Sequence, residues 1–122
     1  LNRGIVYLMT REFIMLPEFE KQWAKLGLND GYLKTCQEFL CAQPEYGDII
    51  EGTGGLRKIR WRLPGTGKSS GVRVLYVDFA AYEKTYLVTA FKKSRKVRLS
   101  QQEKHLIKRT ITDLKHEAGR NV

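Results

Sequence analysis

Three β-rich segments follow one another between residues 56 and 91, and they limit the folds open to this chain of 122 residues. Residues 56–63 alternate apolar and charged side chains, and residues 72–79 and 85–91 are rich in Val, Leu, Tyr and Phe. Such runs are typical of strands. Because strands joined by short connections pair with their neighbours, the three segments predict an antiparallel meander.

Helical patterns precede this meander. Residues 11–16 read as a short strand, and Pro17 follows where a proline commonly opens a helix. That first helix should end at Gly27. Asn29 or Asp30 can cap a second helix, which should end at Pro44. Both predicted helices carry apolar stripes at helical spacing, which we interpret as core rather than as a ligand site; the stripes are Phe19, Trp23 and Leu26, then Tyr32, Leu33, Cys36, Phe39 and Leu40.

A last helix follows the meander. Ser100 and Glu103 have the spacing of a capping box, and Ile107, Ile111 and Leu114 form an apolar stripe behind them. The predicted order is therefore β-α-α-β-β-β-α. It indicates an α+β domain in which a twisted antiparallel sheet carries two N-terminal helices and one C-terminal helix on one side.

The length fits one domain, which we place at residues 11–118, with residues 1–10 as an N-terminal extension or vector-derived residues. With 42% hydrophobic and 29% charged residues, the chain is typical of a folded protein. No apolar run approaches the roughly 20 residues of a membrane helix, and the first eight residues lack a signal-peptide cleavage site. Cys36 and Cys41 have no zinc-binding companions and are expected to be reduced thiols. We therefore expect a cytoplasmic protein.

The net charge of +9 is concentrated in the middle of the chain. Residues 51–99 hold twelve Lys and Arg against three Asp and Glu, whereas residues 1–50 hold five against seven. Within the strand at 56–63, the alternation puts Ile59, Trp61 and Leu63 on one face and Lys58, Arg60 and Arg62 on the other. A concentrated cationic face favours binding to a polyanion.

The run from Gly65 to Ser69 resembles the end of a nucleotide-binding P-loop, but two features argue against that function. The P-loop pattern requires a glycine where Arg62 stands, and it must lead into a helix rather than a strand. We interpret residues 64–71 as a hairpin loop with Lys68 at its tip.

No Ser–His–Asp or Cys–His arrangement stands out, and His105 and His116 fall on the polar side of the last helix. A metal site with two carboxylate ligands is hard to build from the three acidic residues of segment 51–99. If the chain is an enzyme, we therefore expect neither metal nor cofactor, and chemistry carried by cations. Attack of an RNA 2′-hydroxyl on the adjacent phosphorus is such a reaction, since it needs positioning, charge stabilisation and proton transfer.

Three segments carry a resemblance to a known family. Residues 52–60 (GTGGLRKIR), residues 71–76 (GVRVLY) and residues 86–93 (YLVTAFKK) are similar to the HigB branch of the RelE toxin superfamily, over roughly residues 13–114. The resemblance implies a ribosome-dependent endoribonuclease, an mRNA interferase of a toxin–antitoxin system that inhibits translation. It implies that the enzyme enters the A site and cleaves messenger RNA without a metal. A cognate antitoxin would neutralise it, and operator DNA would be bound only through the antitoxin complex.

The same resemblance assigns roles to individual residues. Lys58 is the preferred proton-transfer group, Arg60 would hold the scissile phosphate, Arg73 would stabilise phosphate charge, and Lys93 falls where another catalytic cation lies. The remaining candidates are assigned to RNA binding: Arg57, Arg62, Lys68, Phe91, Lys92, Arg95 and Lys96.

The chain departs from the family at two positions. Members often carry a tyrosine where Phe91 stands, and another near Leu99, and neither hydroxyl is present here. Phe91 could still stack on a base. Two alternatives therefore stay open, a non-catalytic RNA- or DNA-binding module and an inactive subunit that binds an antitoxin.

Overall fold

A computed structural model describes residues 10–62, 71–95 and 98–120. The chain in these ranges forms five strands, three α-helices and one short 3-10 turn. In chain order the elements are β1 (Glu12–Met15), α1 (Pro17–Lys25), α2 (Asp30–Ala42), β2 (Asp48–Ile49), β3 (Arg57–Trp61), β4 (Val72–Phe79), the 3-10 turn (Ala80–Tyr82), β5 (Lys84–Lys92) and α3 (Gln101–Arg120).

The strands form one sheet in the order β1-β5-β4-β3-β2. The α+β class and the predicted order of helices and main strands are confirmed, and the two-residue strand β2 is an addition. The sheet is mixed rather than wholly antiparallel, because β1 pairs in parallel with β5, Glu12 lying opposite Lys84. The other pairings are antiparallel, with a register shift between Leu75 and Tyr76 of β4.

Helices cover both faces of the sheet, so the prediction that they share one side is wrong. Val74 and Tyr76 of β4 belong to a core with α1 and α2, whereas Leu75 and Val77 belong to a second core with α3. Because successive side chains of a strand point to opposite faces, an almost entirely buried strand such as β4 needs cover on both. Among the helices of the described ranges, none has the length and apolar character to cross a membrane.

The predicted helix ends are confirmed. Pro17 occupies the first turn of α1, Gly27 follows α1 with a φ of 72°, and the side chain of Asn29 accepts a hydrogen bond from Tyr32 N. Ser100 and Glu103 form the reciprocal capping box of α3. These ends follow from local chemistry: Asn29, Ser100 and Glu103 satisfy backbone groups that a helix terminus leaves unpaired, and Pro17 has no N–H to leave unpaired.

The glycine-rich turn before β3 positions α3. Thr53 is fully buried, and its hydroxyl donates to Ile50 O (2.6 Å) and accepts from Leu56 N (3.1 Å). Gly54 has a φ of 79°, and a Cβ there would lie 3.2 Å from Cγ of Lys108 in α3. A side chain at this position would therefore strain the turn and press against the helix. This part of the family-like sequence has a structural role.

Candidate nucleic-acid interface

Two rows of side chains cross β3, β4 and β5 on the face that carries α3. In the first row Lys58 lies opposite Leu75, which lies opposite Thr89; in the second row Arg60 lies opposite Arg73, which lies opposite Phe91. Residues directly opposite in an antiparallel pair share a face and have neighbouring Cβ atoms. Register therefore brings together the cations of residues 58, 60 and 73, which we call the cationic face (Lys58, Arg60 and Arg73).

The cationic face concentrates like charge. Lys58 and Arg60 are exposed and Arg73 is half-buried. Burial lowers the pKa of Arg73 below its ordinary value, and the charge of Arg60 lowers it further. In the described part of the chain no carboxylate forms an ion pair with any of the three. Like charges opposite each other destabilise a sheet, so this arrangement is suited to an anionic ligand.

The turn after β5 lies beside this face. Lys93 N donates to Gly71 O (3.0 Å), which extends the β4–β5 hairpin, and Arg95 N donates to Lys92 O (3.0 Å). Lys93 is half-buried and Arg95 is exposed. Lys93 therefore lies opposite Gly71, which precedes Arg73 by two residues, and a backbone hydrogen bond fixes it there.

An apolar recess of about 360 Å³ adjoins the second row. Phe91 and Thr89 line it from β5, Arg95 and Leu99 from the segment between β5 and α3, and Ile107 from α3. An aromatic ring at the edge of an apolar recess, next to cations, offers a stacking surface to an unpaired base.

Two of the predicted RNA-binding residues lie away from the cationic face. Arg57 shares the opposite face of the sheet with Ile59, and its Nη1 donates to the carbonyl oxygens of Glu45 (3.0 Å) and Gly47 (2.7 Å). Lys92 lies opposite Val72, which belongs to the core under α1 and α2. Arg57 thus holds the loop between α2 and β2. Lys92 and Arg73 lie on opposite faces of the sheet, because successive residues of a strand alternate in direction.

The other candidates divide into two groups. Arg62 follows β3 directly and is exposed, while Phe91 and Arg95 border the recess. Lys68 and Lys96 lie outside the described residues, as does the P-loop-like run at residues 65–69.

No other chemical centre emerges from residues 10–62, 71–95 and 98–120. No group of three or more His, Cys, Asp and Glu there is placed to hold a metal ion. His105 and His116 are exposed on α3, and Cys36 and Cys41 form no disulfide. Burial raises the pKa of the Cys36 thiol to about 12, which keeps it protonated.

Sequence reasoning missed the recess and a basic side of α3. Lys108, Lys115 and Arg120 line a second groove with Thr112 and His116. Lys108, Thr112, His116 and Arg120 recur every four residues, the spacing of one helix face, and this was a usable signal beside the apolar stripe of α3. The recess had no such signal, because its lining comes from six separate parts of the chain.

Comparison with solved structures finds a protein of similar fold. No protein-family model matches the chain. Among solved structures, the chain is similar to a double arginine-to-alanine mutant of the E. coli toxin RelE in the free state, with a TM-score of 0.51. The two sequences are 20% identical, and the match covers 70% of this chain and 86% of that one. The chain is thus a small α+β domain of RelE-like fold with a cationic face on its sheet.

Proposed function

We propose that this chain is a ribonuclease toxin of the RelE superfamily, in its HigB branch, that cuts messenger RNA in the ribosomal A site. One observation carries the proposal: Arg60 and Arg73 lie directly opposite each other beside Lys58, without a carboxylate partner among the described residues. The RelE-like fold and the similarity of residues 52–60 to the HigB branch support it.

The proposed reaction is an internal displacement on RNA. The 2′-oxygen forms a bond to the adjacent phosphorus and loses its proton to a base, while the bond from phosphorus to the 5′-oxygen breaks and that oxygen gains a proton. The products are a 2′,3′-cyclic phosphate and a free 5′-hydroxyl. Negative charge grows on the phosphoryl oxygens during the displacement, and fixed cations stabilise it.

The cations divide this work between them. Lys58 transfers the proton, Arg60 holds the scissile phosphate, and Arg73 stabilises the phosphorane, since this half-buried residue lies on β4 between β3 and β5. Lys93 supplies a further cation. RNA binding falls to the residues around them, with Phe91 as the stacking ring: Arg62, Lys68, Phe91, Arg95 and Lys96.

The proposal also covers partners and location. A cognate antitoxin would neutralise the toxin, and operator DNA would be bound only through that complex. We expect the protein to act in the cytoplasm, where it would meet ribosomes and messenger RNA.

Messenger cleavage in a purified translation system tests this function. Wild-type protein should cut the message only when ribosomes are present, and the cuts should carry 2′,3′-cyclic phosphate ends. A message with a single 2′-deoxy nucleotide on the 5′ side of the scissile phosphate should resist cleavage there, because the attacking group is missing.

Variants then test the residues. Lys58→Ala and Arg73→Ala should abolish the cuts, whereas Lys34→Ala and Arg109→Ala, which remove exposed cations of α2 and α3, should leave them unchanged. Full cleavage by both site variants, with folding preserved, would contradict the residue assignment.

The missing tyrosine hydroxyls at Phe91 and Leu99 favour a second candidate, a non-catalytic RNA-binding module on the same scaffold. It predicts salt-sensitive RNA binding through the cationic face with an uncut message under every condition of the same assay.

A further inference from the structure

The apolar recess beside the cationic face has a polar rim. Glu18 and Gln22 line the recess from α1, one helical turn apart, and Arg95 lines it from the turn after β5. Apart from these three residues and Thr89, the lining is apolar or aromatic. Apolar walls with a few polar groups are typical of a site for a small ligand or for one part of a larger one.

Glu18 and Gln22 have acceptor oxygens to spare. Gln22 Nε2 donates to Glu18 Oε2 (2.8 Å), which fixes the two side chains against each other. Within the described residues, neither Glu18 Oε1 nor Gln22 Oε1 accepts a hydrogen bond, and Glu18 forms no ion pair. An RNA phosphate also offers only acceptor oxygens, so this rim is suited to a base edge that donates.

A carboxylate and a guanidinium therefore line one recess without pairing. Glu18 and Arg95 form no ion pair with each other, although both border the same volume of about 360 Å³. Phe91 lines that volume from β5 and can offer a ring face to a base. A ligand that matches all three side chains is flat, donates hydrogen bonds along one edge and accepts them along another.

Guanine has this pattern more completely than the other bases of RNA. Its N1–H and N2–H lie side by side and can donate to one carboxylate, while its O6 and N7 can accept from one guanidinium. Adenine and cytosine each present one amino group, and uracil presents one N–H. Each oxygen of the Glu18 carboxylate has two lone pairs, so Oε2 can accept from a base while it holds Gln22.

We propose that the recess selects guanine and that Glu18 is the residue that distinguishes it from other bases. The ring stacks on Phe91, N1–H and N2–H donate to Glu18, and Arg95 donates to O6 and N7. Gln22 positions the Glu18 carboxylate. The inference rests on the proposed function for its substrate: the recess adjoins the cationic face, so it would hold the base of a nucleotide next to the scissile phosphate.

Oligonucleotides that cannot be cut test the selection on the wild-type chain. The probe is a fluorescein-labelled oligodeoxythymidine of about eight nucleotides with one central guanine, and fluorescence anisotropy measures its affinity. Replacing this guanine by hypoxanthine removes only the N2 amino group, and it should weaken binding by at least about fivefold. Adenine, cytosine or thymine at the same position should weaken binding by at least as much.

Two matched variants of α1 locate the residue that selects the base. Glu18→Gln keeps the size of the side chain but leaves a single acceptor oxygen, so the preference for guanine over hypoxanthine should fall to about twofold or less. Glu20→Gln changes the charge equally at an exposed position outside the recess, and it should keep the wild-type preference. The readout is a ratio of two affinities, so a general gain in affinity from the lost negative charge cancels.

Message cleavage on ribosomes separates this inference from the proposed function. Wild-type protein should cut next to guanosine, and Glu18→Gln should cut without that preference. The selection is overturned, and the ribonuclease left in place, if cuts ignore guanosine or if hypoxanthine binds as well as guanine. A guanine preference in binding with an uncut message would support the recess and contradict the ribonuclease. An equal preference in Glu18→Gln and the wild type would overturn the role of Glu18.

Discussion

The two ends of β4 carry opposite electrostatic arrangements. At one end Arg73 lies opposite Arg60, with no carboxylate partner in the described part of the chain. At the other end Asp78 holds Arg11 at 2.7 Å, with side chains only 6% and 4% exposed, and also accepts a hydrogen bond from Thr85. The bond to Asp78 raises the pKa of Arg11, whereas burial and then the charge of Arg60 lower the pKa of Arg73.

This difference predicts that one end of β4 contributes to stability and the other to ligand binding. Arg11 and Asp78 form a buried ion pair with each other, so removing one partner should lower stability. The Arg60–Arg73 pair has no carboxylate partner among the described residues, so its removal should affect ligand binding. Four predictions test this contrast.

The largest effect is expected at Arg73. Arg73→Ala should reduce the rate of messenger cleavage by about 10²- to 10³-fold, because one preformed charge donor to the transition state is lost. The midpoint of urea unfolding should stay the same or rise slightly, since a like-charge contact also disappears. Single-turnover cleavage on ribosomes measures the rate, with Arg109→Ala as the matched control. A collapse in stability would contradict the contrast.

The next effect is expected at Asp78. Asp78→Ala leaves the buried guanidinium of Arg11 without its partner, and the free energy of unfolding should fall by about 3 kcal/mol. Urea denaturation measures this change, and Asp113→Ala, which removes an exposed carboxylate of α3, should have little effect. Replacing both partners together, as Arg11→Met with Asp78→Leu, should recover much of the loss. No recovery would show that Thr85 and the wider sheet depend on the charge itself.

A smaller effect of opposite sign is expected at Arg60. Arg60→Gln removes one charge of the cross-strand pair, so the free energy of unfolding should rise by about 0.5 kcal/mol. Added sulfate should narrow the difference, because an anion between the two guanidinium groups relieves the repulsion in the wild type. Thermal unfolding with and without sulfate checks this, beside Arg109→Gln. A destabilised Arg60→Gln protein would mean that the pair supports the fold.

The smallest effect at neutral pH is expected at Tyr86, which lies opposite Val77, near the end of β4 that carries the Arg11–Asp78 ion pair. Burial and then the hydrogen bond to Glu117 raise the pKa of Tyr86 from about 10 to about 12. A raised pKa stabilises the folded state below the unfolded value, so this contribution should be intact below pH 10 and lost between pH 10 and pH 12. Phenolate absorbance and unfolding across that window test it. Tyr86→Phe should lack this part of the pH dependence.

Local patterns predicted much of the fold. Helix ends at Pro17, Gly27 and Asn29 were readable because each acts within one turn of chain. The parallel pairing of β1 with β5 was not readable, since Glu12 and Lys84 are far apart in sequence. The same holds for the placement of α3 on the face opposite α1 and α2, which depends on β4 being buried from both sides.

The candidate site divides along the same line. Alternation alone put Lys58 and Arg60 on one side of β3 and Arg57 on the other, because successive side chains of a strand point to opposite faces. Only the register of β3 against β4 set Arg73 opposite Arg60, and only the start of β3 as late as Arg57 left the last residues of β4 without a partner in β3. The sequence by itself determined which side chains share a strand face, a matter of local backbone geometry. Tertiary structure decided which strands meet and where they stop, since long-range burial and pairing fix both.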